Sequence, residues 1–137
     1  MAVLDNIPVK IDLDAVLKKL RLKNRNDDVM KMLGELVEIA NTTARPKAIF
    51  EMATVENKNG DTVTIKGVEF TSHVLRVNLD QAEEVFPYVV TCGREIDAIN
   101  IPTSEMMRYY FMDQIKELVT RSALDYLHDY LKERHAC

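Results

Sequence analysis

The segment VVTCGREID, residues 89–97, holds the side chains best suited to chemistry. Cys92 lies two residues before Arg94, and a nearby cation or a helix N-terminus lowers the pKa of a thiol. A catalytic cysteine also needs a base. The three histidines are far from Cys92 in the sequence, and no motif places one of them beside it. Cysteine packs well as a small hydrophobe, so a structural cysteine at the end of a strand is the favoured interpretation. No catalytic residue is predicted.

A second possibility for this segment is anion binding, since free N–H groups at a helix start attract phosphate or carboxylate. The chain has no GxGxxG and no GKS or GKT motif, so a strand-to-helix corner is favoured over a nucleotide site. If the corner contacts a cofactor, we expect contacts from the backbone and from the Glu95 carboxylate. The predicted cofactor-binding residues are Thr91, Gly93, Arg94 and Glu95.

Metal binding has weak support in the sequence. His128 and His135 are seven residues apart, and the closer HExxH spacing is missing. Asp129 and Glu133 lie nearby, but a solvated charged helix face explains this pattern better. The acidic pair at residues 83–84 is likewise interpreted as solvent-exposed. No metal site is predicted.

Two amphipathic helices are predicted in the N-terminal third of the chain. Asp12 is a suitable N-cap for the first, and Asn26 or Asp27 for the second. The second helix should fade at residues 41–43, because Pro46 disfavours helical angles in the residue before it. Apolar residues recur at helical spacing in both helices: Leu13, Val16, Leu17 and Leu20, then Val29, Met32, Leu33, Leu36, Val37 and Ala40.

The middle of the chain is predicted to form strands. AIFEMATV and TVTIKGVEF alternate as strands around an Asn59-Gly60 hairpin turn, and Gly67 marks a bend or bulge. HVLRVNL then reads as a short helix, DQAEEV as a loop or helical turn, and FPYVVTC as a buried strand. A short helix is predicted from Arg94 to Asn100.

A helix of about 30 residues is predicted from Thr103 or Ser104 to about His135, with a length of ~45 Å. This length exceeds the diameter of a compact domain of this size, so part of the helix needs another packing partner. Its segment MMRYYFM is apolar around almost the whole helix, as in helices buried on several sides or in protein interfaces. Packing within one chain and contact in a homo-oligomer are the two interpretations, and a homo-oligomer is the expected state.

The order of elements predicts an α+β fold: a small, largely antiparallel sheet packed with helices, two N-terminal helices and one long C-terminal helix. The 137 residues fit a single domain. A net charge of −4 without a basic stripe argues against nucleic acid as a partner. No signal peptide or membrane span is predicted, and Cys92 and Cys137 form no disulfide framework. A cytoplasmic location without a membrane partner is expected.

The chain also resembles the family of stand-alone proteins similar to the activation domain of vitamin B12-dependent methionine synthase. Four segments carry the resemblance in order: IDLDAVLKKL, ARPKAIF at residues 44–50, TCGREID at residues 91–97, and MDQI at residues 112–115. The most telling are TCGREID, which resembles the family pattern Thr-x-Gly-x-Glu-(Ile/Val)-Asp, and MDQI. The segments span nearly the whole of residues 1–137.

The resemblance implies an accessory role in S-adenosylmethionine-dependent reactivation of cobalamin. The implied partner is a corrinoid protein or a cobalamin-dependent methyltransferase such as methionine synthase, and the chain is not expected to be catalytic alone. S-adenosylmethionine and cobalamin are the implied cofactors. The alternative is a non-catalytic interaction or dimerisation module that keeps the fold without binding the ligand.

The chain departs from the family pattern at two places. The Arg-x-x-x-Gly-Tyr segment that holds S-adenosylmethionine in the family does not occur, so the chain resembles a family domain without its C-terminal part. Lys116 stands where many relatives carry a Gly after Asp-x-Ile. We therefore expect no independent binding of S-adenosylmethionine by this chain.

Overall fold

A computed structural model describes residues 2–22, 25–102 and 104–135, with His135 described in its backbone only. The predicted N-cap Thr103 and the second cysteine, Cys137, lie outside the described residues. The elements follow in the order β1 (Ala2–Leu4), α1 (Leu13–Leu20), α2 (Asp27–Thr43), β2 (Lys47–Phe50), β3 (Ala53–Asn59), β4 (Thr62–Ile65), β5 (Val68–Thr71), α3 (His73–Asn78), β6 (Glu84–Val85), β7 (Tyr88–Thr91), α4 (Arg94–Asp97) and α5 (Met106–His135). This mixture confirms the α+β class.

The chain divides into two compact units. The sheet unit comprises Met1–Val3 and Ile49–Val89, and the helical unit comprises Leu4–Ala48 and Val90–Cys137. A three-stranded sheet has the order β1-β2-β7, and the boundary between the units falls within each of these strands.

Side-chain caps fix the starts of the first two helices of the helical unit. The Asp12 carboxylate accepts the Asp14 N–H at 3.1 Å, and the Asn26 side chain accepts the Val29 N–H at 2.9 Å. α1 ends at Arg21, whose φ is 51°, and α2 continues through Thr43 before Pro46 interrupts helical geometry. The caps and both apolar stripes agree with the sequence prediction.

Asn41 joins the end of α2 to the segment before α1. Its Oδ1 accepts the Ile11 N–H at 2.6 Å, and its Nδ2 donates to the Ile11 carbonyl at 3.0 Å. Both backbone groups are part-buried, so the two hydrogen bonds satisfy polar atoms that would otherwise lack partners.

The long helix α5 supplies one wall of the helical core. It spans Met106–His135, which confirms the predicted length, and Tyr109 N–H donates to the Glu105 carbonyl just before it. Its buried residues from Ile115 onward follow a four-residue spacing: Ile115, Val119, Ala123, Leu127 and Leu131. Ile115 and Val119 pack in one cluster with residues of α1 and α2 such as Val16, Leu33 and Leu36.

The sheet unit contains an antiparallel sheet of order β5-β4-β3-β6. The first hairpin turn consists of Gly60 and Asp61, with φ of 58° at Gly60, so it lies one residue later than predicted. The second turn consists of Lys66 and Gly67, both with positive φ, at 52° and 75°, which is the pattern of a type I′ turn. Gly67 therefore marks the predicted bend.

Three predictions for the strands differ from the structure. AIFEMATV forms two strands, β2 and β3, which belong to different sheets. DQAEEV ends in the short strand β6, since residues 84–85 pair with β3. FPYVVTC is predicted to be buried, but Tyr88 and Val89 are exposed. Successive side chains of a strand point to opposite faces, so β7 is open to solvent on both faces at this point.

Candidate functional site

The TCGREID segment forms the strand-to-helix corner that the sequence favoured. β7 ends at Thr91, Gly93 has a φ of 91°, and the single turn of α4 begins at Arg94. A Cβ on Gly93 would lie 2.8 Å from the Arg45 carbonyl carbon and closer still to its oxygen. The corner therefore needs glycine both for its backbone angle and for the approach of Arg45.

The predicted cofactor-binding residues occupy different environments at this corner. Thr91 and Arg94 are exposed, Gly93 is buried, and Glu95 is half-buried. Glu95 Oε2 is shielded from solvent and has no hydrogen-bond partner among the described residues. A buried acceptor without a hydrogen-bond partner is uncommon. Among these four residues, Glu95 is therefore the best candidate to accept a hydrogen bond from a ligand.

The Cys92 thiol is not activated. It is half-buried against the helical core, and its Sγ lies 3.9 Å from the Gly93 carbonyl oxygen. Burial raises the pKa of the Cys92 thiol, and the Asp97 carboxylate raises it further, against smaller opposing effects of Thr120 and Lys116. A raised pKa keeps the sulfur protonated near neutral pH, which is unsuited to nucleophilic catalysis.

A cavity of about 380 Å³ lies immediately after the corner, within the helical unit. One wall is formed by residues 97–101, and the other by four residues of α5: Tyr109, Met112, Asp113 and Lys116. Lys116 Nζ lies 3.1 Å from Asp97 Oδ1 and links the two walls.

The cavity brings together the two segments on which the family resemblance mainly depends. Asp97 is the last residue of TCGREID, while Met112 and Asp113 are the first two residues of MDQI. Lys116, which follows Asp-x-Ile in the chain, lies in the same cavity. The predicted residues Thr91, Gly93, Arg94 and Glu95 do not line it; they precede it at the corner.

The lining is suited to a polar molecule that carries positive charge. Asp97 and Asp113 contribute two carboxylates, Asn100 an amide and Tyr109 a phenol, against the single ammonium of Lys116. Carboxylates accept strong hydrogen bonds from cationic donors. Lys116 already pairs with Asp97, so the negative charge of Asp113 is the one that the cavity offers to a cationic group. The described residues that line the cavity include no Cys, Ser, Thr or His.

The spacing of residues in the sequence could have indicated the α5 wall of the cavity. Tyr109, Asp113 and Lys116 follow the i, i+4, i+7 spacing of one helix face. The facing loop, residues 97–101, could not be assigned to that face from its own sequence, because the contact between them is tertiary.

Other predicted groups do not converge on a site. Glu83 and Glu84 are both exposed, as predicted. Within residues 2–22, 25–102 and 104–135, no cluster of three or more His, Cys, Asp or Glu side chains could hold a metal ion. In the same described part, no helix is both long enough and apolar enough to span a bilayer.

Comparison of the sequence with protein-family models finds no match, and comparison with characterised proteins finds no significant similarity.

Proposed function

We propose that this chain is an accessory module of a corrinoid-dependent methyltransferase, such as methionine synthase, and acts in S-adenosylmethionine-dependent reactivation of cobalamin. The observation that carries the proposal is the meeting of TCGREID and MDQI on opposite walls of one cavity. The 14 residues 98–111 separate these segments in the chain, so their meeting requires the fold. Both segments belong to the four that carry the family resemblance.

The contribution of the chain itself is to bind and position, because the cavity has carboxylates and an ammonium but no activated nucleophile. S-adenosylmethionine has a sulfonium, an ammonium and a carboxylate, and Asp113 fits one of its cationic groups. Asp97 and Lys116 pair with each other, and that ion pair would open to contact the ammonium and the carboxylate of the ligand. When bound, S-adenosylmethionine would supply the methyl group. The Arg-x-x-x-Gly-Tyr segment, which holds S-adenosylmethionine in the resembled family, does not occur in residues 1–137. We therefore expect measurable affinity for S-adenosylmethionine only when a partner protein is bound.

Cobalamin is much larger than the small ligands that cavities of this size enclose, so the cavity does not fit it. Contact with cobalamin would therefore use the surface around the corner, where Thr91 and Arg94 are exposed. The corrinoid would remain on its own carrier protein.

Isothermal titration tests the proposal, with S-adenosylmethionine and cobalamin added to the chain in the presence and absence of a corrinoid protein. We expect a complex with the corrinoid protein and binding of S-adenosylmethionine to that complex. Asp113→Asn should weaken the latter about tenfold, because it removes one charge-assisted hydrogen bond. Asp129→Asn, an exposed position on the same helix, is the matched control and should have no effect. Absence of heat with every combination would refute the proposal.

A second candidate function, self-association, is favoured by the exposed start of α5. Met106 is 78% exposed, and Met107, Tyr109 and Tyr110 are each about half-exposed. Only Phe111 and Met112 of the MMRYYFM segment are buried in the monomer. Aromatic residues and Met are enriched in interface cores, and this patch adjoins the cavity through Tyr109.

Sedimentation velocity over a range of protein concentrations tests this second function. A dimer should dissociate in Tyr110→Asp, because the substitution places a charge in an apolar contact. Tyr126→Asp, at another exposed tyrosine of α5, is the matched control and should leave the dimer intact. A wild-type chain that stays monomeric at all concentrations would exclude the function.

A further inference from the structure

We propose that the sheet unit carries a second binding site, which takes a small amphipathic anion of the medium-chain carboxylate class. The site is an apolar cavity of about 570 Å³ with one ion pair among its lining residues. It lies wholly within the sheet unit and depends neither on the cavity beside TCGREID nor on the proposed function.

The walls of this cavity are almost entirely hydrocarbon. β4 and β5 contribute Ile65, Val68 and Phe70, and the region of α3 contributes Leu75 and Leu79. The last wall is the segment of residues 85–88, Val-Phe-Pro-Tyr. The volume and the apolar lining of the cavity are typical of a binding site for a small organic ligand.

The cavity is accessible because β5 does not close it. Val68 is 53% exposed and Phe70 is 43% exposed, although both line the cavity. They alternate with Glu69 along β5 and pair with Ile65 and Val63 of β4, so β5 directs its apolar face to the cavity and its polar face away from it. An apolar chain entering here would cover both side chains, which is favourable in proportion to the area removed from water.

The sign of the ligand's head group follows from the ion pair. Lys66 Nζ lies 2.8 Å from Glu51 Oε1, but the Lys66 side chain is 54% exposed and that of Glu51 only 25%. A head group arriving from solvent therefore meets the ammonium first. The hydrogen bond from Lys66 lowers the pKa of the Glu51 carboxyl, so Glu51 stays negatively charged. Its charge repels an anion placed directly beside it. The anion must bind on the solvent side of Lys66.

The Lys66 side chain extends from a tight turn whose backbone is itself hydrogen-bonded. Lys66 and Gly67 form the tight β4–β5 turn, and the Gly67 N–H donates to the Glu56 carboxylate at 3.2 Å. Glu56 sits at the irregularity in β3 between Val55 and Asn57, which leaves its side chain free to reach the turn. The backbone that carries Lys66 is thus part of an ordered hairpin turn.

The test is titration of the whole chain with decanoate below its micelle concentration, followed by amide chemical shifts in NMR. We expect saturable binding, with shifts confined to the residues lining the cavity. Decan-1-ol and decylammonium should bind roughly fivefold more weakly, because they lack the charge that pairs with an exposed lysine. Equal affinity for decanoate and decan-1-ol would overturn the proposal.

Two variants separate the head group from the apolar walls. Lys66→Asn keeps a residue that tolerates positive φ and should abolish the preference for decanoate over decan-1-ol. Phe70→Ser should weaken binding of both ligands. Glu69→Gln, on the opposite face of β5, is the control and should change neither. A Lys66→Asn variant that keeps the full preference would overturn the proposal.

Two other outcomes would also overturn it. If the wild-type chain co-sediments with anionic phospholipid vesicles and Lys66→Asn does not, the surface meets a membrane instead of a free carboxylate. If Phe70→Ser dissociates a dimer of the wild-type chain, the occupant of the cavity is a second copy.

Discussion

Replacing Gly34 and Gly93 separately by Ala makes the same chemical change in two settings of the helical unit. Gly34 lies within α2. Apart from its chain neighbours and the nearby backbone of α2 itself, no atom lies within 4 Å of a Cβ added there. Gly93 has a φ of 91°, and an added Cβ would overlap the Arg45 carbonyl. The two substitutions should therefore change the free energy of unfolding in opposite directions.

The magnitudes follow from local terms. Ala in place of Gly within a helix stabilises by about 1 kcal/mol, so Gly34→Ala should raise the melting temperature by about 4 °C. For Gly93→Ala, a strained backbone angle costs about 1–3 kcal/mol and overpacking against backbone atoms about as much again. We expect a total loss of about 4 kcal/mol, because neither Gly93 nor the Arg45 backbone can move as a flexible side chain could.

Urea unfolding monitored by far-UV circular dichroism measures both effects, with the slope of the transition as a check that the unfolded state is unchanged. Gly60→Ala separates the two causes. Gly60 has a φ of 58° but open space around the added Cβ, so only the cost of the backbone angle, about 1 kcal/mol, should remain. A Gly93→Ala variant no less stable than Gly60→Ala would refute the steric argument, and a destabilised Gly34→Ala would refute the reasoning for α2.

Three further predictions concern the helical unit. Asn41→Ala should cost about 1–3 kcal/mol in urea unfolding, because it leaves the part-buried N–H and carbonyl of Ile11 without partners; Asn41→Asp should restore only the bond from the N–H. Alkylation of Cys92 by iodoacetamide should require a higher pH than alkylation of a free cysteine, since the folded-state pKa is raised, and Asp97→Asn should lower that pH. The same shift means that stability falls as pH rises above the ordinary thiol pKa, where only the unfolded state ionises. Leu127→Ala, at a fully buried position of α5, should cost about 2–5 kcal/mol in thermal or urea unfolding.

The helices could be predicted because their information is local. Asp12 and Asn26 cap the first turns with their own side chains, and the apolar stripes lie within single segments. The division of AIFEMATV into β2 and β3 could not be predicted in this way. Alternation of apolar and polar residues predicts a strand but not the sheet to which the strand belongs. β2 pairs with β1 and β7, whereas β3 pairs with β4 and β6.

The candidate site was predicted only in part, for a related reason. The corner at Gly93 follows from a β-branched run that ends at a glycine, and the structure has that corner. The cavity depends on Lys116 reaching Asp97 across two elements, and the sequence of either element alone does not specify that tertiary contact. Whether Thr91, Gly93, Arg94 and Glu95 contact a cofactor stays a prediction.

The four-residue spacing of the buried positions in α5 limits how two copies of the chain can associate. Each step of four residues turns about 40° around the helix axis, so the buried line turns through about 160° between Ile115 and Leu131. A two-stranded coiled coil needs an apolar seam that repeats every 3.5 residues. The exposed positions of α5 that follow this spacing are polar or charged: Arg121, Asp125, His128 and Lys132. Self-association through α5 must therefore be confined to its first turns, around Met106 and Tyr110, and a contact of that size implies a weak dimer that forms and dissociates with concentration.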